Sequence, residues 1–282
     1  MNAYQKSIAA FAAVLAMGTA LPAAAQDAER AIEQVEGDVY RFQNNFHYAM
    51  FVVTDEGIVV TDPIDADAVD WLKNELSEKF EQPVTHMIFS HYHADHASGG
   101  QGWGEIEVIA HKNFPRHVES GAVDTAMPTQ TIGGSHSFAL GGKTFELTYL
   151  GEGHSDDMIV TIVRPENVAF VVDVVSPMRL PWRDFPNTDI DGMIEQIKVV
   201  ESLDFDILLP GHSVIGTKED ATNTRVYIEK LKKAVQASMD EGKSEADILA
   251  SDITDDYKDW GGYEQLRDLN VQGMMRWLQT DD

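Results

Sequence analysis

The chain has 282 residues, 43% of them hydrophobic, with 47 acidic against 21 basic side chains and a net charge of −26. Such a chain supports a sizeable core and argues against intrinsic disorder. An acidic surface repels phosphate backbones, so no nucleic acid is expected as a partner. The absence of cysteine excludes disulfides, thiolate metal ligands and a cysteine nucleophile.

The first segment reads as a cleavable signal peptide over residues 1–25. Lys6 supplies the positive start, Ile8 to Leu21 is small or apolar, and Ala23-Ala24-Ala25 offers a cleavage site. The apolar run is too short to span a bilayer comfortably. The expected mature chain starts at Gln26, is periplasmic or secreted, and keeps no membrane anchor.

Short strands follow at 38–42, 48–54 and 57–61, the last two joined by an Asp55-Glu56-Gly57 turn. Asp65 can cap a helix running to about Phe80, with Val69, Leu72, Leu76 and Phe80 on one face, before Pro83 stops it. The apolar run 85–90 reads as a buried strand leading straight into His91, and 106–110 as another. Further strands are predicted at 137–140, 144–150, 158–163 and 168–172. A helix over 192–203 aligns Met193, Ile197, Val200 and Leu203. Strand 206–209 ends at Pro210-Gly211-His212. Thr217 to Asp220 resembles a capping box that opens a helix over 221–239, and a last helix covers 263–278. No Pro/Ser-rich linker interrupts residues 26–282, which therefore read as one domain of α/β class.

The chemistry concentrates in Ser90-His91-Tyr92-His93-Ala94-Asp95-His96. Four candidate metal ligands leave the end of one strand together. Imidazole and carboxylate suit zinc, and so many titratable groups in one place repel each other unless a cation compensates. Gly99-Gly100 lets the backbone turn tightly afterwards. Three later positions match this pattern: His154 in Gly151-Glu152-Gly153-His154-Ser155, Asp173 after the run 168–172, and His212 after Pro210-Gly211. Each lies at the end of a predicted strand, where open α/β sheets place their sites.

H-x-H-x-D-H, then G-x-G-H-S, a strand-end Asp and P-G-H together resemble the metallo-β-lactamase superfamily across essentially the whole mature chain. The resemblance implies an αββα four-layer sandwich with two zinc ions at one edge. It implies that His91, His93 and His154 hold one ion, that Asp95, His96 and His212 hold the other, and that Asp173 bridges them. It places Asp62 behind the metal loop as a support. The implied reaction is attack of a metal-bridging hydroxide on the carbonyl of a small, cyclic amide or ester such as a β-lactam. Asp95 would be the catalytic group that orients the hydroxide and moves a proton. The best-known lactamase subclass uses a Cys ligand that is missing here. Asp173 and His96 look more like the hydrolase pattern of glyoxalase II and lactonases, so lactone or thioester hydrolysis is the alternative. A non-catalytic periplasmic metal or cofactor accessory protein is a third reading. His93 disfavours the flavodiiron branch, which carries Glu there.

The expected substrate is a small molecule. Phe46, Tyr48 and Trp182 are candidate pocket residues, with Trp103 a further aromatic and Met178 to Trp182 a candidate far wall. His47, His86, His111, His117 and His136 match no motif and are expected to be surface or packing residues.

Overall fold

Alternation along the strands decides the architecture. The computed structural model describes residues 28–280; the signal-peptide segment lies outside them. The first sheet holds β1 (Arg30–Glu36), β2 (Val39–Asn44), β3 (His47–Thr54), β4 (Gly57–Thr61), β5 (Val84–Ile88), β6 (Glu107–His111) and β7 (Gln130–Ile132), side by side in chain order. The second holds β8 (Ser135–Leu140), β9 (Lys143–Tyr149), β10 (Ile159–Arg164), β11 (Val168–Val171) and β12 (Ile207–Pro210), in the order 12-11-10-9-8. The helices are α1 (Ala66–Lys79), α2 (Ala94–Ala97), α3 (Phe114–Glu119), α4 (Ile190–Ser202), α5 (Lys218–Asp240), α6 (Glu245–Leu249) and α7 (Tyr263–Thr280).

Each sheet buries both faces. On β4, Ile58 and Val60 join Val69, Leu72 and Leu76 of α1 in one cluster. Val59 points the other way, into a second cluster with Met50, Val52, Phe145, Phe170 and Leu209 between the sheets. Ala169 and Val171 of β11 pack outward under Ile197 of α4, Ile228 of α5 and Val271 of α7. Helix, sheet, sheet, helix is therefore the layering, as the resemblance implies. Leu76 is 2% exposed, and truncating it to alanine costs about 2–5 kcal/mol.

The capping signals act as read. Asp65 accepts from the Ala68 amide at 2.7 Å, and Thr217 forms a capping box with Asp220. Sequence reading gave no strand at β1 or β7 and no helix at α3 or α6. β1 is an edge strand whose charges face water, and the others have three to six residues, too few to show a period.

Strands β4, β5 and β6 run parallel in the first sheet, and β11 and β12 run parallel in the second. Crossover helices α1 and α4 return the chain each time, so the carboxyl ends of these strands share one edge of the sandwich. Asp62, His91, Asp173 and His212 all follow such ends.

Candidate metal centre

The chain after β5 sets the first donors. Ser90 accepts no freedom here: its amide and hydroxyl both donate to the Asp62 carboxylate, at 2.7 and 2.6 Å. His91 follows with its ring buried, and α2 then lifts Asp95 and His96 toward the same edge. The Ile64 amide donates to the His96 carbonyl at 2.7 Å. Ile64 adopts φ 69°, an unusual value for a β-branched residue, to make that contact. Asp173 leaves β11 at φ 59°, which turns its carboxylate back between the sheets. Gly211 lies so close to His96 that an added Cβ would meet the ring Cε1 at 2.7 Å. Gly99 takes the left-handed turn expected of it, at φ 82°.

All seven predicted ligands converge. Asp173 Oδ2 faces His91 Nε2 at 3.3 Å and His154 Nε2 at 3.2 Å, and His154 Nε2 lies 3.0 Å from His93 Nδ1. Asp173 Oδ1 faces the other set, 3.2 Å from His96 Nε2 and 3.3 Å from His212 Nε2. Those two nitrogens are 3.0 Å apart, and Asp95 Oδ2 is 3.5 Å from each. Donors on one tetrahedral zinc, with bonds of about 2.0–2.2 Å, sit about 3.3–3.6 Å from one another. One carboxylate thus presents an oxygen to each of two donor sets.

The hydrogen-bond network tests whether a cation fits. The Ser90 hydroxyl donates to Asp62, so at 2.9 Å it accepts from His91 Nδ1–H. His91 Nε2 is then a lone pair aimed at a carboxylate oxygen, and it has no hydrogen-bond partner. His212 Nδ1 likewise donates to the Phe46 carbonyl at 2.9 Å, which turns its Nε2 toward His96. The buried His91 Nε2 lone pair and the Asp173 oxygen it faces repel unless a cation lies between them. The outer hydrogen bonds that fix each imidazole are those a metal-ligating histidine makes.

The electrostatics agree. Burial pushes His91 down to about 3 and His93 down to about 4, so both are neutral and available as ligands. Burial also works on His96, but the carboxylates of Asp173, Asp95 and Asp62 outweigh it and raise its pKa. The same pairing holds Asp173 well below the usual carboxylate range against its own burial. Burial drives Asp62 up to about 6. In the absence of a metal, the proton on His96 offsets part of this negative charge; a divalent cation does so in its place.

Several residues fall elsewhere than expected. Trp103 is 5% exposed and packs beneath α1, inside the core. Tyr48 carries the Arg41 guanidinium 3.4 Å above its ring, and Arg41 donates to the Ser213 carbonyl. It therefore braces the loop that bears His212. Phe46 and Trp182 are open to solvent, at 83% and 62%. His47, read as a surface or packing residue, stands 3.6 Å from Asp95 Oδ2. His86 stacks on Phe138, His111 on Tyr149 and His117 on Tyr92, as packing residues do. His136 meets Gln130 at the surface.

Gln196 was missed. It is fully buried on α4, accepts from the His154 amide at 2.8 Å, and donates to the carbonyls of Gly151 and Ser155. A glutamine among Met193, Ile194, Ile197 and Val200, on the helix's buried side, was the available signal.

Residues 44–212 match the model of the metallo-β-lactamase superfamily. The chain is 24% identical over 181 residues to a metallo-β-lactamase type 2 of Bacillus sp. (strain 170), covering 58% of this chain and 66% of that relative's length. It also superimposes on a metallo-β-lactamase from Pontibacter korlensis with a TM-score of 0.64 at 18% identity, over 71% of this chain and 99% of the other. The match to the family model spans more than half of the chain and includes all seven converging donors: the chain belongs to the metallo-β-lactamase superfamily.

Proposed function

We propose that the protein is a zinc-dependent hydrolase that opens a small, cyclic amide or ester, with β-lactams among its substrates. The observation that carries this reading is Asp173, whose two oxygens face separate imidazole sets. His91, His93 and His154 would hold one ion and Asp95, His96 and His212 the other. Two such ions would supply an acidified water and Lewis acids for the carbonyl oxygen and the leaving group.

The protein's own groups have distinct parts. Asp95 is the most open carboxylate of the set, its side chain 48% exposed, so it can meet both solvent and substrate. The His212, His47 and His96 imidazoles around it hold it ionised against its burial. It orients the attacking water and carries a proton toward the leaving group. Asp62 and Ser90 keep His91 in the tautomer that offers Nε2. Phe46 and Trp182 offer apolar surface to the substrate.

The absence of cysteine and the bridging Asp173 favour a second reading, lactone or thioester hydrolysis. A panel of β-lactams, lactones and thioesters against zinc-loaded protein decides between them. Turnover of the β-lactams is the expected result. Hydrolysis of lactones or thioesters alone would shift the assignment to the second reading. Two bound ions without turnover anywhere in the panel would indicate the accessory role.

The same proposal includes export. A protein recovered from a Gram-negative host should begin near Gln26 on N-terminal sequencing, and full-length chain retained in the cytoplasm would contradict it. The substrate is a small molecule, and gel-shift assays should show no nucleic-acid binding.

A further inference from the structure

We propose that His47 is an additional donor to the second cation position, alongside Asp95, His96 and His212. The inference rests on the two-ion reading of the centre and extends it to a residue outside the seven-ligand motif.

Backbone geometry fixes where His47 stands. The chain turns between β2 and β3 at Asn45, φ 56°, and this turn is tied down by Asn45–Glu29 bonds of 2.7 and 2.9 Å. Immediately before His47, the Phe46 carbonyl accepts from His212 Nδ1 at 2.9 Å. Immediately after it, the Tyr48 amide donates to the Gly211 carbonyl at 2.9 Å. His47 is therefore clamped beside His212 by bonds on both sides of it. Strand alternation turns its side chain away from that of Tyr48.

The ring then lies where a donor is useful. Its Nε2 is 3.6 Å from Asp95 Oδ2. His212 Nε2 is 3.5 Å from the same oxygen. Ligand atoms of His47, Asp95 and His212 all lie within 4.8 Å of one another. The His47 ring is 5.0 Å from that of His212 and meets it edge-on, at 65°, so the two rings approach the carboxylate from different directions. The 3.5 and 3.6 Å separations around Asp95 Oδ2 match the spacing of donors around one ion of zinc size, with His47 on the far side from His96, the two rings 6.0 Å apart. Imidazole also suits other borderline divalent metals, so the site selects that class rather than calcium or magnesium.

A simpler role for His47 is a hydrogen bond that steadies Asp95. His47→Gln keeps a hydrogen-bond donor but supplies a poor ligand for zinc, whereas His47→Ala removes both. The measurement is a competitive titration of metal-free protein with Zn2+, and a parallel Co2+ titration followed by visible absorption. Asp95→Asn identifies the step belonging to the second position, and His136→Ala is the control. Circular dichroism checks folding.

We expect wild type to take up two ions. Both His47 variants should lose about tenfold or more in affinity at the second step, keep the first, and change the Co2+ spectrum of the second ion. A His47→Gln protein with the wild-type second step and spectrum would overturn the proposal and leave His47 as a brace. So would unchanged binding in both variants. Fewer than two ions in wild type would overturn the two-ion centre itself, a different outcome from failure at His47 alone.

Discussion

The two donor sets that share Asp173 are built by different means. Around the first, the His91 side chain is fully buried and that of His154 is 15% exposed. Asp62 and Ser90 fix one of these residues, and Gln196 fixes the loop of the other. Around the second, His96 is fully buried, but Asp95, His47 and His212 have side chains 48%, 30% and 25% exposed, and the order of these three depends on backbone bonds between the first strands and the loop after β12. The enclosed set holds its imidazoles in place before any ion arrives. The open set leaves room for a substrate. A centre that must both keep its metals and admit a ligand benefits from this asymmetry.

Breaking the shared element should have the largest effect. Asp173→Asn removes the charge that both sets face. We expect loss of both ions and a fall in turnover of about a thousandfold or more, the scale of losing several kcal/mol of charge stabilisation. Elemental analysis and steady-state hydrolysis check it; a variant that keeps both ions would show that Asp173 does not bridge.

Asp95→Asn acts on the open set alone. Turnover should fall by about a hundredfold or more, with the first ion retained and the fold intact by circular dichroism. His117→Ala, which disturbs only a contact with Asp156 and a stack on Tyr92, should leave turnover nearly unchanged. Full activity in Asp95→Asn at saturating zinc contradicts the role given to this carboxylate.

Gln196→Leu acts on the enclosed set. It removes the acceptor for the His154 amide and the donor for two loop carbonyls. Affinity for the first ion should drop by about ten- to a hundredfold, with the second less affected. The opposite ranking in a metal titration would show that the clamp serves another purpose.

The smallest effect concerns stability beside the enclosed set. Asp157 is 1% exposed, and burial raises it to about 7 although the Ser155 hydroxyl donates to it. Its folded pKa exceeds its unfolded value, so the folded state binds this proton more tightly. The resulting stability is complete at low pH and is lost as pH rises from about 4 through about 7. Asp157→Asn should flatten that decline in urea midpoints measured across the window. Equal slopes in the two proteins would place the proton elsewhere.

Much of this was legible in the sequence, for physical reasons that can be named. Strands buried on both faces, such as 58–60 and 168–172, are continuous apolar runs. Helices α1 and α5 begin with caps whose chemistry is local. The seven donors were legible because metal ligation demands particular side chains at strand ends. Residues that act through tertiary placement were not. Nothing in the Asn44 to Tyr48 segment indicates that β3 will start against the Gly211 backbone, so His47 read as packing. Gln196 sits in an apolar stripe whose partner loop lies more than forty residues earlier in the chain. Trp103 looks like any aromatic near a motif until the packing of α1 over it is known.

We propose that one carboxylate, Asp173, joins two cation positions in a single chain. Elemental analysis of folded protein, loaded with zinc and dialysed to remove loose ions, tests it most directly. Wild type should retain two zinc ions per chain, and Asp95→Asn one. No more than trace metal in the folded wild-type protein would contradict it.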